Sequence, residues 1–203
     1  MLNAMVRSVV GLSLFATLTV GLVASPASTS QSPSATTAKK LDAPQLAPYV
    51  PTPQDVVDRM LALAEVKKSD LVVDLGCGDG RIPITAARKY GARGLGVDID
   101  PVRIAEANAN AKAAGVTHLV EFRLQDATRT DVSQATVVTT YLLSASNLRL
   151  RPILTKQMKP GTRLVAHNFS FGDWTPAKTD TFRDAEGRSR TIYLYVADGK
   201  VRQ

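Results

Sequence analysis

The sequence has a single cysteine, Cys77, and only two histidines, His118 and His167. One cysteine excludes an intrachain disulfide. A cysteine nucleophile needs a base or another group that lowers the pKa of its thiol, and the sequence shows no clear base partner for Cys77. The composition therefore argues against chemistry that depends on a reactive thiol.

The apolar run near the N-terminus is shorter than a typical transmembrane helix. It covers the 15 residues from Val9 to Val23, whereas crossing a bilayer takes roughly 20 apolar residues. Arg7 precedes the run and small residues follow it, which is the pattern of a secretory signal. Apolar residues before Arg7 would lengthen the run into a membrane anchor. We therefore expect residues 1–27 to be a signal peptide or an anchor of a bacterial cell-envelope protein, with the side of the membrane left open.

The sequence also lacks a dense block of basic residues interleaved with aromatic ones. Its 25 Lys and Arg residues outnumber 18 Asp and Glu residues, and the net charge is +7. A positive surface attracts nucleic acid, anionic lipid or acidic protein without selecting among them. Nucleic-acid sites usually add clustered basic and aromatic side chains. We therefore expect a solvated basic surface and no nucleic-acid partner.

Composition divides the chain into three parts. After the N-terminal segment, residues 28–46 are rich in Ser, Thr, Ala, Pro and Gln and show no apolar periodicity, as in a flexible linker. Residues 47–203 carry the apolar periodicity and are numerous enough for one domain with a substantial core. We predict a single folded domain over residues 47–203.

The periodicity of this domain predicts alternating helices and strands. Helices are expected from Thr52 and Pro53 onward, with Thr52 as the N-cap, and over residues 80–90, 101–114 and 148–158. Strands are expected over residues 71–73, 94–98, 119–124, 135–143, 162–166, 174–182 and 189–196, the last two as a hairpin. This order predicts an α/β fold. The sheet should be Rossmann-like, doubly wound, seven-stranded and mostly parallel, with an antiparallel C-terminal hairpin.

A glycine-rich turn follows the first predicted strand. Gly76, Gly78 and Gly80 lie between that strand and the next helix, with Asp74 before them and Asp79 among them. Such glycines allow a tight turn and a close approach of a ligand to the backbone. The G-x-G-x-G spacing differs from the G-x-G-x-x-G of dinucleotide sites. The carboxylates would repel a pyrophosphate and suit a cationic ligand.

Two more acidic residues follow the next two predicted strands. Asp98 ends the second strand, 24 residues after Asp74, and Asp126 follows the third. Carboxyl ends of parallel strands meet at one edge of the sheet, where ligands of such folds bind. Asp98 is placed to accept hydrogen bonds from ribose hydroxyls, and Asp126 from an adenine amino group. S-adenosylmethionine (SAM), which carries a sulfonium and an ammonium group, fits this set of acids.

The same stretches resemble a known family. Residues 72–81 and 96–101 look like motif I and its acidic successor in class I SAM-dependent methyltransferases. Residues 48–53, 140–143 and 169–176 resemble the lysine methyltransferases that modify the mitochondrial ATP synthase rotor-ring protein and the adenine nucleotide translocase, with their bacterial relatives. The resemblance covers about residues 47 to 197.

This resemblance implies an assignment for the cofactor site. The residues expected to hold SAM are Asp74, Gly76, Gly78, Asp79, Gly80, Asp98 and Asp126. It also implies that residues 48–53 fold over the cofactor. Residues 141–144 depart from the polar Asn/Asp-Pro-Pro-Tyr type sequence that commonly serves amide and nucleic-acid amine methylation. That departure argues against a nucleic-acid acceptor.

The acceptor of the methyl group is expected to enter an apolar, aromatic channel. A lysine must lose its proton before it can attack, its unperturbed pKa is about 10.4, and desolvation lowers that value. Tyr49, Tyr141 and Trp174 are the candidate channel walls, and Tyr141 and Asp173 are the catalytic candidates. His167 is expected in the core or at the rim, with a proton shuttle as the alternative. No single general base and no metal site are predicted.

These features together predict a SAM-dependent methyltransferase that acts on protein lysine, with membrane association of the protein substrate left open. A small-molecule methyltransferase for a quinone or lipid, or a non-catalytic SAM-binding module, stays open as an alternative. Intact acids at three strand ends argue against the non-catalytic module. The absence of a lid domain between the strands leaves an open face that suits a large acceptor. The sequence leaves the oligomeric state open.

Overall fold

The computed structural model describes residues 39–203. The predicted signal or anchor and the first part of the predicted linker lie outside this range. Within residues 39–203, none of the helices combines the length and the apolar character that crossing a membrane requires.

Helices and strands alternate along most of the described chain. The four α-helices are α1 (Gln54–Leu63), α2 (Arg81–Tyr90), α3 (Pro101–Ala113) and α4 (Ser144–Gln157), and a 3-10 turn covers Ala127–Arg129. The seven strands are β1 (Leu71–Leu75), β2 (Arg93–Asp98), β3 (Val120–Leu124), β4 (Val137–Thr140), β5 (Arg163–His167), β6 (Lys178–Arg183) and β7 (Ser189–Val196).

All seven strands form one sheet in the order β3-β2-β1-β4-β5-β7-β6. Neighbouring strands from β3 to β5 are parallel, and β7 is antiparallel to both β5 and β6. The predicted doubly wound sheet with an antiparallel C-terminal hairpin is confirmed. The chain order reverses between β1 and β4, and at such a reversal the strand ends open into a ligand-binding crevice.

The core lies on both faces of the sheet, since alternate residues of each strand point to opposite faces. On one face, Val73 and Leu75 of β1 belong to a buried cluster with Leu150 and Leu154 of α4. On the other face, Val72 belongs to a cluster built with α1 and α2. Burial on both faces explains why β1 begins with the continuous apolar run Leu71–Val73.

Two predicted element boundaries near the site are wrong. Helix α1 begins at Gln54 with Pro53 as its N-cap and no side-chain cap, because the Thr52 hydroxyl lies 3.5 Å from Nδ1 of His167 instead. Strand β4 ends at Thr140 and not at 143. Tyr141 is therefore a loop residue just beyond the strand.

The C-terminal half contains two further corrections. Helix α4 begins at Ser144, four residues before the predicted start, and continues through Pro152. A proline removes one helical hydrogen bond, but complete burial of Leu150 and Leu154 on either side of it holds the helix in place. Strand β6 begins at Lys178 and not at 174, because the Trp174 side chain packs into the core before the strand starts.

Candidate functional site

The glycine-rich turn between β1 and α2 forms the floor of the site. Gly76, Gly78 and Gly80 have φ angles of 80°, 52° and 78°, a region that residues with a side chain rarely adopt. The backbone N–H groups of Gly76 and Cys77 both donate to the Val97 carbonyl at 2.9 Å. These bonds fix the turn to the end of β2.

Asp74 lies at the end of β1, beneath this turn. It is only 3% exposed, and its carboxylate accepts a hydrogen bond from the Thr139 hydroxyl at 2.6 Å. Burial, together with the neighbouring charges of Asp98 and Asp79, raises the pKa of Asp74 to about 7 against the opposing effect of the Thr139 hydrogen bond. A positively charged ligand would relieve this concentration of negative charge.

Asp98 and Asp126 occupy the ends of β2 and β3. Both carboxylate oxygens of Asp98 accept a backbone hydrogen bond at 3.0 Å, one from Gly78 and one from Asp100. Asp126 accepts the backbone N–H of Thr128 at 2.8 Å and so caps the 3-10 turn. The backbone thus holds both carboxylates in fixed orientations at the sheet edge.

These groups surround one open cavity. Six of the seven residues predicted to hold the cofactor line it: Asp74, Gly76, Gly78, Asp79, Asp98 and Asp126. Gly80 does not line it. A Cβ at Gly80 would lie 2.6 Å from the Phe122 ring and 2.9 Å from Ala107, so this glycine lets α2 approach α3 and β3. The individual contacts of the six residues with SAM stay a prediction.

Residues 39–53, here called the covering segment, pass over the cavity. Leu41 donates its backbone N–H to the Ile99 carbonyl at 3.0 Å, and the Ser146 hydroxyl donates to the Leu46 carbonyl. Residues 39–46 were predicted as flexible linker, but backbone contacts and the packing of Leu46 on the core attach them to the domain. The composition of residues 39–46 does not reveal this attachment, because the contacts involve backbone atoms and the side chain of Leu46.

Tyr49 is the covering-segment residue that lies against the glycine turn. Its ring occupies the space next to Gly78, where a Cβ would collide with it. The Arg103 guanidinium stacks over the same ring at 4.4 Å, and Arg81 donates to the Thr52 carbonyl at 2.7 Å. Sequence reasoning missed both arginines. The available signal was their position, since Arg81 follows Asp79 by two residues and Arg103 follows Asp98 by five.

Tyr141 lines the cavity at the end of β4. Its ring centroid lies 3.9 Å from that of His167 and 6.3 Å from that of Phe169. His167 is fully buried, and burial, with the charge of Arg190, lowers its pKa to about 4. Among residues 39–203 its Nε2 atom has no hydrogen-bond partner. The cavity wall at Tyr141 is thus aromatic, and the buried histidine behind it is neutral at physiological pH.

Two of the predicted acceptor-site residues lie elsewhere. Trp174 is 7% exposed and packs against Phe171 and Tyr195 in the core, so it anchors the C-terminal hairpin and is not a channel wall. Asp173 is on the surface, its side chain 91% exposed, and it pairs with Arg151. Its place in a surface ion pair argues against a catalytic role.

The site fits SAM better than a dinucleotide. Three carboxylates from three successive strand ends face the cavity together with a glycine turn that leaves no room for a side chain at Gly78. Within residues 39–203 no cluster of His, Cys, Asp or Glu could hold a metal ion. A doubly wound sheet of this order with an acidic cofactor cavity defines the class of SAM-dependent methyltransferases.

The chain belongs to the ANTKMT methyltransferase family, whose domain model matches residues 74–178. A protein-lysine N-methyltransferase of Saccharolobus islandicus is 47% identical over 150 residues, which is 73% of this chain and 92% of the relative. A human lysine N-methyltransferase named for its ATP synthase substrate is 29% identical over 129 residues, 64% of this chain and 54% of the relative.

One similar solved structure contains S-adenosyl-L-homocysteine, the product that SAM leaves after methyl transfer. An RNA methyltransferase from Salinibacter ruber in complex with S-adenosyl-L-homocysteine is 51% identical, with a TM-score of 0.71. The match covers 76% of this chain and 97% of that chain. The present chain is therefore a SAM-dependent methyltransferase, and the cofactor predicted from the acidic strand ends is confirmed.

Proposed function

We propose that this enzyme transfers a methyl group from SAM to the side-chain amine of a lysine in a protein. The observation that carries the proposal is the 47% identity to a relative named protein-lysine N-methyltransferase, over 92% of that relative's length. The human relative, named as a lysine N-methyltransferase of ATP synthase, supports the same acceptor class.

The acceptor end of the cavity suits an uncharged amine. SAM, when bound, supplies a methyl group on a positively charged sulfur. The attacking nitrogen must carry a free electron pair, and a desolvated aromatic surface lowers the pKa of a lysine. The cavity-lining ring of Tyr141, with the buried ring of His167 behind it, provides such a surface. Carbon–nitrogen bond formation then leaves the electron pair of the broken carbon–sulfur bond on sulfur, and the methylated nitrogen releases its proton.

Methyl transfer to RNA is the second candidate, because the 51%-identical Salinibacter protein is named an RNA methyltransferase. RNA binding relies on basic side chains that are available to phosphates. The cavity-lining Arg81 is paired with Asp79 at 2.5 Å, and Arg103 with Glu106 at 2.6 Å. Because both guanidinium groups are already paired with carboxylates of the same chain, they are less available to the phosphates of RNA. This favours a protein acceptor.

The test is to incubate the full-length chain and tritiated-methyl SAM with protein, RNA and lipid fractions of the source organism. Tritium is expected in protein, and hydrolysis of that protein should yield methylated lysine. Asp98→Ala, which removes a carboxylate at the end of β2, should lose the transfer in every fraction. Label in RNA or lipid alone would replace the lysine proposal with an RNA or small-molecule acceptor.

We further propose that the enzyme works in the bacterial cell envelope, on an acceptor near the membrane. The support is the sequence pattern of residues 1–27, a positive charge followed by a short apolar run and small residues.

A further inference from the structure

An arginine of the cavity wall joins the glycine turn to the covering segment. Arg81, the first residue of α2, donates from Nη1 to the Thr52 carbonyl at 2.7 Å. The same guanidinium donates to Asp79, from Nε to both carboxylate oxygens at 2.9 and 3.1 Å and from Nη2 at 2.5 Å. All three guanidinium nitrogens are therefore engaged, two by the glycine turn and one by the segment that passes over the cavity.

The carboxylate that holds Arg81 is itself fixed in place. The backbone carbonyl of Asp79 accepts a hydrogen bond from the Asn110 side chain of α3 at 3.0 Å. The side chains of Asp79 and Arg81 are only 12% and 30% exposed. A partly buried pair with several hydrogen bonds has a defined geometry, unlike a single surface contact between two long side chains. Asp79 therefore presents the arginine to the covering segment in one orientation.

The Thr52 carbonyl is available to this arginine because helix α1 does not use it. The helix begins at Gln54, and the carbonyl of Pro53 accepts the backbone N–H of Val57 at 3.0 Å. Thr52 is buried, and a buried carbonyl that lacks a donor costs free energy. The hydroxyl of the same residue lies 3.5 Å from Nδ1 of His167. Without the arginine, the covering segment loses its charged contact at the end that enters α1.

We propose that Arg81, held by Asp79, is a positioning residue that keeps the covering segment closed over bound SAM. This role requires only that the chain binds SAM, and it is independent of the acceptor. It also gives Asp79 a different part from direct contact with the cofactor, because both oxygens of its carboxylate already accept from the guanidinium. A lysine at position 81 would keep the charge but has a single nitrogen, so it lacks the fork that spans the carboxylate and the carbonyl.

Chymotrypsin cleavage after Tyr49 measures this closure in the ligand-free, full-length chain, where no contact with SAM contributes. Tyr49 lies three residues before Thr52, and its ring rests against Gly78, so the cut requires the segment to lift from the glycine turn. Arg81→Gln and Arg81→Lys are each expected to raise the initial rate of this cut, read by mass spectrometry, by on the order of 10-fold. That factor corresponds to the loss of one hydrogen bond to a charged group.

Calorimetry on the same chains measures the consequence for the cofactor. Both Arg81 variants should raise the Kd for SAM by on the order of 10-fold. Asp79→Asn should raise it as well. The double variant of Arg81→Gln and Asp79→Asn should bind SAM no more weakly than the weaker single variant, because both changes release the same segment. Losses that multiply would overturn the role given to Asp79 and make it an independent contact of SAM.

Lys89→Gln is the matched control. It also removes one positive charge from α2 and one ion pair to a neighbouring element, since Lys89 pairs with Asp58 of α1 at 2.6 Å. Neither of these two residues lines the cofactor cavity. The cleavage rate and the Kd for SAM of this variant should therefore stay within about twofold of the wild type, as expected for a surface ion pair.

Two outcomes would overturn the positioning role of Arg81. Variants that are cleaved at the wild-type rate but bind SAM weakly would make Arg81 a direct contact of the cofactor. Variants that are cleaved faster but bind SAM with unchanged Kd would show that closure of the segment does not retain SAM. If Arg81→Gln fails to fold, Arg81→Lys carries the test, since it keeps a charge beside Asp79. Neither measurement uses a methyl acceptor, so both are independent of the lysine proposal.

Discussion

At the scale of single residues, Asp74 is a buried carboxyl with negative neighbours and no basic partner among residues 39–203. Its hydrogen bond from Thr139 at 2.6 Å does not offset the burial. SAM brings positive charge to this region, and a positive charge favours the ionised form of a nearby carboxyl. Cofactor binding and ionisation of Asp74 should therefore be coupled.

We expect SAM binding to tighten as the pH rises through about 7, the pKa to which burial raises Asp74. Below that pH the carboxyl is protonated in the ligand-free chain, and binding must release the proton. Above it the carboxyl is already ionised, and the affinity should level off. Calorimetric titrations at several pH values, in buffers of different ionisation enthalpy, measure both the affinity and the protons released.

The control for this prediction is a pair of isosteric variants. Asp74→Asn should bind SAM weakly and without this pH dependence, whereas Asp173→Asn, in a surface ion pair, should behave as the wild type. Binding by the wild type that releases no proton near pH 7 would contradict the coupling.

Thermal stability is a poorer measure of the same ionisation. The raised pKa of Asp74 means that the unfolded chain ionises first, so this group makes the ligand-free protein less stable as the pH rises from 3.8 to about 7. The pKa of His167 is lowered from 6.5 to about 4, which makes the protein less stable as the pH falls through that interval. The two contributions have opposite signs across most of the same range.

At the scale of elements, the three aromatic residues predicted as channel walls have different roles. Tyr49 belongs to the covering segment and is 44% exposed, and Tyr141 follows β4. Trp174 packs on Tyr195 of β7 with ring centroids 4.7 Å apart, and the Arg202 guanidinium lies over the Trp174 ring at 4.4 Å. Trp174 therefore packs against the C-terminal hairpin, and Tyr49 packs the covering segment against the glycine turn.

Alanine variants should separate these roles. Trp174→Ala is expected to lower the free energy of unfolding by about 3–5 kcal/mol, as for other buried large aromatic residues, with little change in the Kd for SAM of the folded fraction. Tyr49→Ala should weaken SAM binding and leave the unfolding midpoint in urea nearly unchanged. Urea titrations and calorimetry on the full-length chain provide both measurements. A stable Trp174→Ala variant that has lost SAM affinity would show that Trp174 contributes to the cofactor site.

At the scale of the whole molecule, the N-terminal segment is expected to decide where the enzyme works. The full-length chain should appear in the membrane or periplasmic fraction of a bacterial host, and a chain that lacks residues 1–27 should stay in the cytosol. The physical reason is the short apolar run behind Arg7. Full-length protein found only in the cytosol would contradict the envelope proposal.

Reporter fusions after Gln203 then determine the side of the membrane. A periplasm-active reporter that works, beside a silent cytosol-active one, indicates export of the catalytic domain. The reverse result indicates an anchor with the domain inside, where SAM is made.

The sequence by itself determined the alternation of strands and helices, the reversed C-terminal strand and the chemistry of the cofactor. These follow from local patterns: apolar runs with β-branched residues at β1, the G-x-G-x-G turn, and acids at successive strand ends. In a parallel sheet the carboxyl ends of neighbouring strands meet at one edge. Asp74, Asp98 and Asp126 could therefore be assigned to one cavity from the sequence alone.

Only the tertiary structure decided which side chains share the acceptor end. His167 and Tyr141 lie far apart in the chain, and their rings stack at 3.9 Å because β5 pairs with β4. The same folding buried Trp174, left Asp173 on the surface and brought residues 39–46 onto the domain. Periodicity reports which face of an element is apolar, but strand order and register set the distances between elements.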